Sequence, residues 1–124
     1  MPTHSEKNGR FRFDISYRRF QGDQGLSIRV EGPVANESRE LLRFDCFEKT
    51  PHYHTEVYGR NVITPIDSAD ASEWSLATLQ EQFVTLIEAA GADTMTDAEH
   101  ENLTGALHVV CQKSRDLIAE EKRV

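Results

Sequence analysis

Hydrophobic and polar positions alternate from residue 11 onward. In RFRFDISYRRF, Phe11, Phe13, Ile15 and Tyr17 take one parity, and Arg10, Arg12, Asp14, Ser16 and Arg18 take the other. This period of two is that of a strand with one face buried. The glycines and aspartate of QGDQG, residues 21–25, suit a turn, and LSIRVEG then resumes the alternation with Leu26, Ile28 and Val30. The two segments together predict a hairpin. GPVANES reads as a loop, after which RELLRFDCF carries Leu42, Phe44 and Cys46 on one face of a third strand. HYHTEVY predicts a fourth strand, and NVITPI a short fifth that Pro65 confines to an edge or an end.

From Asp67 the period lengthens to that of a helix. Asp70 and Glu73 resemble a capping box, and Leu76, Leu79, Phe83, Leu86 and Ile87 form a stripe that ends at Gly91. Thr96 and Glu99 make a second capping box, followed by Leu103, Leu107, Val110, Cys111, Leu117 and Ile118. Gly105, inside this second helix, predicts close packing, because an exposed mid-helix glycine costs about 1 kcal/mol against alanine. Strands first and helices last, with no alternation between them, predict an α+β fold. The expected architecture is a meander-like antiparallel sheet of four or five strands, with two C-terminal helices on one face. Residues 1–10 read as a disordered polar tail, and 11–124 as a single domain.

Composition narrows the class. With 38% hydrophobic and 28% charged residues in 124, the chain has a globular balance and holds no apolar run long enough to span a membrane. MPTHSEKNGR lacks the apolar segment of a secretory signal, so a cytoplasmic location is expected. Cys46 and Cys111 both fall inside apolar periodic segments, which predicts buried thiols in a reducing compartment. The net charge of −7 is uneven: residues 1–66 carry ten Lys and Arg against nine Asp and Glu, residues 67–124 four against twelve. An acidic helical layer repels phosphate backbones, so nucleic acid is a poor partner.

The candidate chemistry lies at PHYHTE, residues 51–56, one short turn after RFDCF. If Leu42, Phe44 and Cys46 face the helices, parity places Tyr53, Thr55 and Val57 beside them. The open face then pairs Phe47 with His52, Asp45 with His54 and Arg43 with Glu56, partners matched in charge or shape. Asp45, His52, His54, Glu56, Arg43 and Phe47 are therefore the candidate ligand or interface residues. One reading makes this face a non-catalytic docking surface for a second copy or a larger protein, since arginine and aromatic side chains suit interfaces and no cofactor is needed. Its rival makes His52 and His54 ligands of a divalent metal such as zinc, with Asp45 or Glu56 supplying a carboxylate. A third orients His54 by Asp45 as an acid or base, but no nucleophile is evident, so enzyme activity stays open. In a register of the other parity, Cys46 would join the histidines instead.

Beside the same residues, FDCF, a short turn and PHYH, followed by EWSL at Glu73–Leu76, the chain resembles a group of small bacterial proteins of unknown function. The resemblance spans about residues 11–91 and implies a shared small domain. It carries no activity, cofactor or catalytic residue.

Overall fold

In the computed structural model, which describes residues 3–122, six strands precede two helices: β1 Thr3–Asn8, β2 Phe11–Phe20, β3 Asp23–Val34, β4 Glu37–Phe47, β5 His52–Thr55, β6 Val62–Pro65, α1 Ala71–Ala89 and α2 Asp97–Glu121. The strands form one sheet in the order β1-β2-β3-β4-β5-β6, every neighbouring pair antiparallel. The fold is thus α+β with two helices against an antiparallel meander, as the periodicity predicts, but the sheet has six strands, not four or five.

The additional strand comes from the segment expected to be a disordered tail. Residues 3–8 pair along β2 from Thr3↔Ser16 to Asn8↔Phe11, and residues 1 and 2 lie outside the described part. Anchoring by a remote acid explains the difference. Asn8 donates to the carbonyl of Glu99, and the adjoining Arg10 binds the Glu99 carboxylate through its backbone N–H and its guanidinium. A polar strand with no apolar face of its own is thereby fixed to the start of α2, a contact 89 residues away that local periodicity does not register.

The segment GPVANES also departs from its expected loop. β3 and β4 run to Val34↔Glu37, leaving only Ala35 and Asn36 as a turn, with φ of 51° and 67°. That pair of positive values is the two-residue turn that matches strand twist, usually reserved for Gly and Asn. Asp93 holds it: one carboxylate oxygen accepts Ala35 N–H and the other Asn36 N–H, each at 2.9 Å. Between Val30 and Glu31 the β3–β4 register shifts by one residue, so that Leu41 and Leu42 are both fully buried although adjacent. A bulge of this kind places two consecutive residues on one side.

The core lies between the helices and the sheet face that carries Phe11, Phe13, Ile15, Tyr17, Leu26, Ile28, Val30, Leu42, Phe44 and Cys46. Leu76, Leu79, Phe83 and Ile87 of α1 and Leu107, Val110, Cys111 and Leu117 of α2 complete it. Trp74 closes one margin by packing at a tilt against Tyr53, with ring centroids 5.4 Å apart. Gly105 is not closely packed: a Cβ there would meet nothing within 4 Å, so the glycine lies on the solvent side of α2. No helix among the described residues is long and apolar enough to cross a membrane.

Candidate metal centre

Opposite the helices, the sheet presents a row of small and polar side chains. Ser16 of β2 pairs with Ser27 of β3, Ser27 with Asp45 of β4, and Asp45 with His52 of β5. The β4–β5 register differs from the expected one by two residues. Asp45 faces His52 and Arg43 faces His54, where Asp45 with His54 and Arg43 with Glu56 were expected. A slip of two preserves parity, so every side chain stays on its predicted face while its partner changes.

The cause of the slip is a wider loop. Asp23, at the start of β3, accepts the backbone N–H groups of Lys49 and Thr50 and the Thr50 hydroxyl, and Glu48 N–H binds the Gln24 carbonyl. These bonds keep the end of β4 on β3, where Phe47 pairs with Gly25, and away from β5. Phe47 still meets His52, edge to face at 5.9 Å.

Three donor groups converge in the result. Asp45 Oδ2 lies 3.2 Å from Nε2 of His52 and 3.3 Å from Nε2 of His54, and the three ligand atoms all fall within 4.8 Å of one another. Asp45 is 3% exposed and His54 8% exposed, although the face is the one without helices. A carboxylate so buried needs partners. Its other oxygen accepts the Ser27 hydroxyl at 3.0 Å and lies 3.6 Å from the Arg18 guanidinium.

The outer nitrogens of the histidines are also engaged. Nδ1 of His52 is 2.8 Å from the Thr50 carbonyl, and Nδ1 of His54 is 2.9 Å from Oδ1 of Asn61. A carbonyl oxygen only accepts, so each Nδ1 donates and each Nε2 faces Asp45, as a lone pair in the neutral ring or as a second N–H donor in the protonated one. Two imidazole nitrogens on one carboxylate oxygen need positive charge among them, carried by a proton on a ring or by a metal ion. Metal-bound histidines use this same arrangement, with the far nitrogen donating to a carbonyl that fixes ring and tautomer. The two distances from Asp45 to the histidines agree with a tetrahedron, in which metal–ligand bonds of about 2.0–2.1 Å set neighbouring ligands about 3.3 Å apart.

Glu56 is outside this cluster. β5 ends at Thr55, Glu56 turns the chain with φ of 52°, and its carboxylate binds Arg60 at 2.9 Å. Arg43 binds Glu40 through both carboxylate oxygens and makes no pair with Glu56. Cys46 is on the helix side, its thiol donating to Ser75, and burial pushes it up to about 11, so it can neither ligate with the histidines nor act as a ready thiolate. Ser27 is buried and hydrogen-bonded, which makes it a support for Asp45 and a poor nucleophile.

Two residues of the site were absent from the sequence-level set. Asn61 reaches His54 only because the 56–61 turn folds back, and Arg18 reaches Asp45 by crossing β3 over Gly25, which pairs with Arg18 on one side and Phe47 on the other. A Cβ at Gly25 would collide with the backbone of Cys46 and Phe47, so the glycine that reads as part of a turn is what lets β4 approach there.

A family model described as a domain of unknown function (DUF7700) matches residues 7–114, a span that includes every residue of this site. No curated protein and no solved structure matches the chain.

Proposed function

Since the chain belongs to the DUF7700 family, whose description names no activity, we propose from the site itself that this domain binds a divalent transition-metal ion, with zinc the best fit, through Asp45, His52 and His54. The observation that carries this reading is the pair of Nε2 atoms aimed at one Asp45 oxygen, each with its Nδ1 tied to a carbonyl. Imidazole with carboxylate suits zinc, and three protein ligands with one position open is the composition of sites that present the ion to a further molecule. All three ligands come from β4 and β5, so the ion rests on a rigid sheet.

The docking-surface reading of the same face has less support. Three of its arginines are already paired with acids of the sheet: Arg12 binds Asp14 and Glu31, while Arg29 and Arg43 both bind Glu40. Few charges are left for a partner there.

Metal-stripped protein titrated with zinc should take up one equivalent, and His52→Ala/His54→Ala should take up none while its circular dichroism is unchanged. Wild-type protein that binds no zinc at micromolar concentration, with its fold intact, sinks the proposal.

A further inference from the structure

We propose that the open coordination position receives an oxyanion group, carboxylate or phosphate, of a small molecule, and that Arg18 is the residue that recognises it; this rests on the metal reading above. Arg18 is the one arginine among the described residues whose side chain makes no hydrogen bond. Arg10, Arg12, Arg19, Arg29, Arg39, Arg43, Arg60 and Arg115 each donate to a carboxylate. Arg18 has only the 3.6 Å approach to Asp45, too long to be a hydrogen bond.

Its position is nonetheless built. The guanidinium lies over the ring of Phe20 at 5.7 Å and that of Phe47 at 5.9 Å, so two aromatic faces hold it where it is. Phe47 in turn contacts His52, placing the arginine along the margin of the triad. The side chain remains 37% exposed and His52 25% exposed, whereas Asp45 and His54 are at 4% and 10%. Solvent therefore reaches the triad from the side of Arg18 and His52.

Charge favours an anion there. Asp45 cancels one of the two charges of the ion, the histidines are neutral as ligands, and Arg18 adds a further positive charge. An oxyanion bound to the metal could use a second oxygen to accept the free N–H groups of the guanidinium, whose planar fork matches carboxylate and phosphate oxygens. Arg18 would then touch the ligand and leave the ion itself to the triad.

Cobalt(II)-loaded protein tests this through its visible absorption, titrated separately with acetate and with inorganic phosphate. The expected result is a saturable spectral change with at least one anion. Arg18→Gln should weaken that anion about tenfold or more, as expected for loss of a charged hydrogen bond, in protein kept saturated with cobalt so that any change in metal affinity does not enter. Whichever anion binds the tighter identifies the group. A cobalt spectrum indifferent to both anions, or an Arg18→Gln protein that binds the anion as wild type does, overturns the inference with the metal site intact. A protein that takes up no cobalt removes the metal reading and this inference together.

Discussion

Asp23 Oδ2 accepts the backbone N–H of Thr50 at 3.0 Å, and the carbonyl of that same Thr50 is what orients His52. The acid at the start of β3 thus reaches the histidine through one residue. Asp23 also holds Lys49 N–H and the Thr50 hydroxyl, so the entire approach to β5 depends on it. Outer partners of metal ligands typically change affinity 10–100-fold. Asp23→Ala is therefore expected to raise the zinc Kd about tenfold with the strands still formed, as read by zinc titration beside circular dichroism. An unchanged Kd would show that the loop holds its position without Asp23.

The same loop marks the limit of what the sequence discloses. Parity alone put Asp45, His52 and His54 on one face and Cys46 on the other, because burial on one side of a strand leaves no freedom to exchange faces. Parity is blind to a slip of two, and the register was set instead by Asp23, 26 residues before Lys49. β1 escaped for a similar reason: its six residues have no apolar alternation, and what fixes it is Glu99. Arg18 and Asn61 joined the site through side-chain reach over neighbouring strands and turns. The helices were legible because stripe and caps are local, and Thr96 and Glu99 do form the reciprocal box.

Glu99 makes a pH prediction. The hydrogen-bonded Arg10 guanidinium, aided by the backbone N–H groups of Arg10 and Thr96, holds its carboxyl down at about 2 against burial, from an ordinary 4.5. A depressed folded-state value stabilises above the unfolded value and is lost as pH falls toward the folded one. With Arg10 39% exposed and partly screened, the contribution at pH 7 is on the order of 2 kcal/mol. Glu99→Gln should be less stable than wild type by about that amount at pH 7 in urea denaturation. The gap should narrow between about pH 5 and pH 2. A gap that is constant over this range would mean that the charge on Glu99 contributes nothing.

Ala35 predicts a gain. Its φ of 51° is a left-handed conformation that costs an L-residue about 1–2 kcal/mol, and glycine adopts it freely. Ala35→Gly keeps the N–H that Asp93 accepts. After the larger unfolded-state entropy of glycine is subtracted, a net stabilisation of about 0.5 kcal/mol is expected, seen as a higher urea midpoint at constant m-value. A lower midpoint would show that the Ala35 methyl makes a contact worth more than the strain.

Cys46 separates the two possible parities of the β4–β5 pair in solution. In the observed register it lies behind the sheet, bonded to Ser75, with the histidines in front. With the thiol at about 11, little thiolate exists near neutral pH, and the side chain is 4% exposed. Native protein at pH 7.5 should therefore resist alkylation at Cys46, shown by peptide mass mapping after a brief iodoacetamide pulse, and label fully once unfolded in urea. Cys46→Ala should leave the zinc Kd within about twofold, because no ligand is lost and its strand stays paired on both sides. A loss of about tenfold or more would bring Cys46 to the metal and require the other parity, in which Asp45 turns to the helices. Since Asp45 is the one buried acid that both histidines share, that outcome would replace the whole ligand set along with the register.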